Sequence, residues 1–197
     1  MSPEGETAFI GDAEEVARVG RAAYVAGIRL LARREHSVAE MATKLGRSFP
    51  APTVEATVEN LQAEGVLSDA RFAEALCRSR IARGYGPGYI TQELRQKGVG
   101  RDTYAGLLDY DDDHWLALAS QLVQRKYPEI NSSHSTLGGG LGARQDDESR
   151  GEREGFALNE EEPHTREISI EQRQKLSRFL ARRGFSAGII SKVQRAL

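Results

Sequence analysis

The chain has 197 residues, 39% of them apolar and 28% charged, and a formal net charge of −2. A single cysteine, Cys77, excludes an intramolecular disulfide, and His36, His114, His134 and His164 are too scattered for a metal-ligand cluster. No apolar run reaches the ~18 residues of a membrane span, and the start, "MSPEGETAFIGDAEE", is acidic where a secretion signal is basic and then apolar. The composition therefore predicts a cytoplasmic protein with no membrane, metal or cofactor dependence.

Taken in chain order, the first segment, 1–13, is acidic and is expected to be disordered. Apolar residues then recur at helical spacing almost to the end, with no alternating strand pattern. Module 1 (14–67) is expected to hold helices at 14–33, 38–46 and 53–64. Module 2 (68–110) holds them at 69–83, 88–97 and 101–108. Module 3 (111–197) holds them at 113–126, 170–183 and 187–196. Ser37, Thr53, Ser68 or Asp69, Asp102 and Ser186 stand where N-caps belong, and Gly46, Gly65, Gly98 and Gly184 where helices stop. Acids around Asp111–Asp113 fit an N-terminal cap better than a catalytic pair.

The three groups repeat one another. "LARREHSVAEMATKL" (31–45) parallels "IARGYGPGYITQEL" (81–94), so that Met41 and Leu45 correspond to Ile90 and Leu94, and Leu176 and Leu180 supply the same step of four in the third copy. The predicted fold class is all-α, an elongated curved array of three tandem three-helix modules. A disordered insertion, 131–167, interrupts module 3; it is rich in Gly and Ser and has net charge −5.

Charge is unevenly distributed between these segments. Residues 69–108 carry +3 and 168–197 carry +6, against −4 in 1–20 and −3 in 109–130. Basic modules joined by acidic connectors point to a polyanion or an acidic protein surface as partner. Candidate contacts are Arg71, Arg78, Arg83, Arg95 and Lys97 in module 2, with Arg71 and Arg78 seven apart and able to point together. Arg173, Lys175, Arg178, Arg182 and Arg183 continue the set in module 3. Arg80 differs, because a helical wheel puts it inside the apolar arc of 69–83, where a guanidinium needs a carboxylate; Glu93 is the natural partner in a structural ion pair. Tyr85 is expected to plug the corner between helices rather than stack on a base.

The glycines of "GYGPGYI" (84–90) raise the possibility of a phosphate loop. They lack the lysine and hydroxyl residue that must follow the last glycine, and they lie between two helices rather than after a strand. A tight helix corner explains them instead: Gly84 takes the left-handed position and Pro87 the first turn of the next helix. No nucleophile, base or metal constellation appears, and no enzyme activity is expected.

The stretch "LSDARFAEALCRSRIARGYGPGYITQELRQKGV" (67–99) resembles the central signature of the RecX family, regulators of the RecA recombinase. "LARREHS" (31–37) and the tail from Ile170 resemble its first and last modules. The resemblance implies a monomeric regulator that sits in the groove of the RecA–DNA filament, binds single- and double-stranded DNA more weakly, and restrains recombination, ATP turnover and co-protease activity. It departs from the family at Gly88, Tyr89 and Thr91, where basic residues are common, and in the long insertion. The alternative is a helix-turn-helix transcriptional regulator built on 37–67, although its would-be recognition helix, 53–64, carries Glu55, Glu59 and Glu64 and no basic residue.

Overall fold

A computed structural model describes residues 4–131 and 168–197, and all regular structure among them is helical. Module 1 comprises α1 (Glu4–Leu31), α2 (Val38–Leu45) and α3 (Ala51–Ala63). Module 2 comprises α4 (Asp69–Ala82), α5 (Pro87–Gln96) and α6 (Arg101–Tyr104), the last running into a 3₁₀ turn at Ala105–Leu108. Module 3 comprises α7 (Asp112–Lys126), the short α8 (Pro128–Asn131), α9 (Ile170–Arg182) and α10 (Ala187–Arg195). The insertion expected over 131–167 lies, apart from Asn131 at the end of α8, outside the described residues.

Local chemistry explains most of the helix boundaries. Ser37, Ser68, Asp111, Ser169 and Ser186 each accept the backbone N–H three residues on, which satisfies a donor the helix itself leaves open. At Ser169 the cap is reciprocal, with the Gln172 side chain returning to the Ser169 N–H. Four differences from expectation concern caps and starts. Helix α1 begins at Glu4 instead of 14, and an acidic sequence suits the positive end of a helix. Pro50, not Thr53, precedes α3, and Pro52 in the first turn has the fixed φ that favours helix entry. Gly100, not Asp102, precedes α6. Gly46 ends α2 in a right-handed conformation, so the left-handed glycines at helix ends are Gly65, Gly84, Gly98 and Gly184.

Each module closes around its own apolar cluster. Met41 and Leu45 anchor the first with Val54, Val58 and Leu61; Ile90 and Leu94 anchor the second with Phe72, Ala73 and Leu76; Leu176 and Leu180 anchor the third with Trp115, Leu122 and Val193. The repeated pair is no more than 2% exposed in every copy. One arrangement, a helix (α2, α5, α9) that presses its pair of apolar residues into the module core, has thus been used three times. Cys77 lies in the second cluster as a small buried side chain.

Candidate functional site

Two joints hold the modules in line, and they decide which basic residues remain available to a partner. In both, the start of one second helix rests on the end of the next. At the first joint Ser37, the N-cap of α2, donates its hydroxyl to the carbonyl of Lys97 at the end of α5 (2.7 Å). At the second, the N–H of Gly86, the N-cap of α5, donates to the carbonyl of Arg183 at the end of α9 (2.7 Å).

The first joint is polar. Arg34 binds Glu40 through two hydrogen bonds (2.7 and 2.9 Å), and Lys97 approaches the same carboxylate at 3.5 Å. The Arg34 hydrogen bonds, with Lys97 nearby, lower the Glu40 pKa to about 2. Asp69 accepts the N–H of Val38 at the start of α2 (2.9 Å), and Arg71 reaches Glu35 (3.0 Å) and the carbonyls of Gly65 (2.7 Å) and Val66 (2.8 Å). Buried His36 sits against the Arg34 carbonyl, and desolvation lowers its pKa.

The second joint is made of glycine and aromatic rings. Gly88 donates its N–H to the Gly184 carbonyl (3.0 Å), and a Cβ added to Gly86 would fall 2.7 Å from that same oxygen. Only backbones without side chains come this close. Arg183 donates to the Arg83 carbonyl (2.8 Å) and lies over the Tyr85 ring at 4.6 Å, while Tyr85 stacks on Tyr89. Ile81 and Leu108 pack against both the second and third cores. Tyr85 is therefore a packing element, and the glycine corner is the seat for a neighbouring module.

These joints redistribute the expected contact residues. Arg71 and Arg78 are both exposed, with the Arg71 guanidinium held by Glu35 and the Gly65 carbonyl at the first joint. Lys97 and Arg183 are likewise turned into the joints, because each ends a second helix where a neighbour must dock. Arg83 is exposed, and Arg95 is exposed with its Nε 3.3 Å from the Tyr104 hydroxyl. On α9, Arg178 and Arg182 are exposed on the side away from buried Leu176 and Leu180; Arg178 donates to Gln174, within its own helix. Lys175 lies over the Tyr127 ring at 4.9 Å, and Arg173 donates to the Ile168 carbonyl. Arg80 and Glu93 form a two-pronged pair, both hydrogen bonds 2.6 Å long, with the side chains 22% and 17% exposed. Sequence reasoning missed Arg34, Glu35, Glu40 and Asp69 as joint residues, because their partners lie 6 to 57 positions away with no periodic signal.

Helix α3, the would-be DNA reader, leaves Glu55 and Glu59 exposed and packs its apolar side within module 1. Acidic side chains would face phosphates, so the helix-turn-helix transcriptional regulator is not favoured. Among the described residues no group of three or more His, Cys, Asp or Glu could hold a metal, and no helix is long and apolar enough to cross a membrane.

Comparison with known proteins places all three modules. Domain families described as RecX, first, second and third three-helix domain match residues 23–61, 68–105 and 164–193. The regulatory protein RecX of Legionella pneumophila is 33% identical over 172 residues, which cover 87% of this chain and 91% of that one. The chain belongs to the RecX family. The RecX protein of Halorhodospira halophila is 45% identical over 103 residues, a match spanning 52% of this chain and 64% of the relative. Crystal structures share the fold: a regulatory protein RecX at TM-score 0.67 and 20% identity, covering 99% of this chain and 79% of that one, and RecX from Lactobacillus salivarius at 0.63 and 18%, covering 92% and 97%. In this chain the glycine corner is also a docking surface, since Gly86 and Gly88 meet Gly184 at the second joint.

Proposed function

We propose that this RecX chain regulates the RecA recombinase without catalysis of its own, lying in the groove of the RecA–DNA filament and restraining recombination, ATP turnover and co-protease activity. Membership of the family of regulatory RecX proteins carries the reading. Three modules joined end to end support a steric mechanism, in which a multi-module array laid along a groove obstructs strand exchange and subunit growth. Exposed Arg78, Arg83, Arg178 and Arg182 support the electrostatic part, because cations that are not held in the joints can neutralise phosphates or an acidic groove wall. DNA alone is bound more weakly than the filament, through the same cations, and the protein acts as a cytoplasmic monomer.

DNA-dependent ATPase and strand exchange by the cognate recombinase, measured with substoichiometric protein, test this directly. Turnover is expected to change while the added protein hydrolyses no nucleotide itself. An unaffected filament at every ratio would refute the proposal.

A further inference from the structure

The two joints follow one rule, and module 1 leaves its half of a third joint open. Lys97 and Arg183, whose carbonyls receive the incoming helix starts, stand three residues beyond Leu94 and Leu180. Ser48 stands three residues beyond Leu45, in the turn that follows the α2 cap Gly46, is exposed, and among the described residues its carbonyl receives no helix start. Beside it, between the last turn of α1 and the end of α2, runs an open groove of about 580 Å³. Leu30 and Phe49 contribute apolar surface to it, and Arg29, Arg33 and Lys44 line it with cations.

The charge of this groove sets it apart from its neighbours. Among the described residues no carboxylate lines it. The groove at the first joint offsets Lys44, Arg47 and Lys97 with Glu40, and the groove along α4 offsets Arg34, Arg80 and Lys97 with Glu35 and Glu93. Among the described residues Arg29, Arg33 and Lys44 form no salt bridge. Three cations that form no salt bridge among the described residues, set around an apolar floor, attract carboxylates and reward an apolar side chain that leaves water.

We propose that this end of module 1 is a docking site for an acidic partner segment that enters as a helix start, with carboxylates in its first turn and one aliphatic or aromatic anchor. The carboxylates meet Arg29, Arg33 and Lys44, the anchor covers Phe49, and the helix start continues the row in which α5 seats α2 and α9 seats α5. The site lies on module 1, apart from the exposed cations of modules 2 and 3, and stands independently of the recombinase reading.

A dye-labelled synthetic peptide that opens Ser-Leu-Asp-Glu-Glu and continues as an alanine-rich helix, titrated with the full chain and followed by anisotropy, tests the site. Saturable binding is expected, weakened about tenfold or more by Arg33→Glu with Lys44→Glu and also by replacing the peptide's leucine with serine. Arg178→Glu with Arg182→Glu should leave it unchanged. Should the charge reversal lower the melting temperature, Arg29→Gln with Arg33→Gln, both at exposed positions, takes its place. Failure of the peptide to bind overturns the proposal. So does equal binding of polyglutamate, equal loss with the α9 variant, or full displacement by oligodeoxythymidine, which would assign the groove to nucleic acid. Concentration-dependent self-association that the module 1 variant abolishes would give the groove to a second copy and overturn it as well.

Discussion

Single side chains matter here mostly through the pairs they complete. Arg80 and Glu93 are neither deeply buried nor free, so removing one partner leaves a charge that water only partly reaches. Arg80→Ala or Glu93→Ala should cost about 1–3 kcal/mol, and the double variant less than the sum; chemical denaturation in a double-mutant cycle measures the coupling. Glu40 gives a pH signature. Its carboxyl is lowered from 4.5 to about 2 by Arg34, so the folded chain favours the charged form. That contribution, on the order of 2–3 kcal/mol, is whole above pH ~4.5 and is lost as pH falls toward 2. Glu40→Gln should therefore be less stable than the parent at neutral pH, with the gap closing in acid. Melting curves across a pH series that stay parallel would remove Glu40 from the joint.

At the scale of elements, glycine positions separate backbone strain from module docking. Gly106 has open space around it and no positive φ, Gly65 has open space at φ +70°, and Gly184 combines φ +85° with the backbone of Tyr89. Replacing Gly106 by Ala should change stability by less than about 0.5 kcal/mol. Gly65→Ala should cost about 1–2 kcal/mol for the left-handed conformation alone. Gly184→Ala adds an overlap that only separation of α9 from α5 relieves, for about 1–3 kcal/mol more. Thermal unfolding of the three variants checks the order, and equal losses at Gly65 and Gly184 would mean that the second joint does not depend on close approach.

For the whole molecule the contrast between the joints predicts where the array yields. The first depends on Arg34–Glu40–Lys97, Glu35–Arg71 and Asp69, whereas the second depends on backbone contact and shared apolar residues. Salt screens exposed ion pairs and leaves close packing intact. Hydrogen exchange at the Val38 amide, which donates to a carboxylate, should accelerate with rising salt more than at the Gly86 amide, which donates to a carbonyl. Charge reversal at Arg178 and Arg182 belongs to this scale too: both are exposed and outside the core, with Arg182 at the rim of the second joint, so the double variant should weaken filament and DNA binding and flatten the salt dependence, with melting almost unchanged. A large loss of stability would place that face in the core.

The all-helical class, the threefold repeat and the pairs Met41–Leu45, Ile90–Leu94 and Leu176–Leu180 were legible from sequence alone, because helical burial has a fixed period and the repeat states it three times. Serine caps and left-handed glycines were equally local, and the Arg80–Glu93 contact followed from helical phase between adjacent elements. What only the tertiary structure decided is how the modules meet. Arg71, Lys97 and Arg183 look like surface cations, since nothing within a few residues marks a partner. Apart from the Gly65 and Val66 carbonyls beside Arg71, their carbonyl and carboxylate neighbours lie 36 to 100 residues away. Glycines 86, 88 and 184 announce a corner in the sequence but not what fills it; that depends on where a second glycine corner falls when two modules dock, and a one-dimensional period carries no information about that distance.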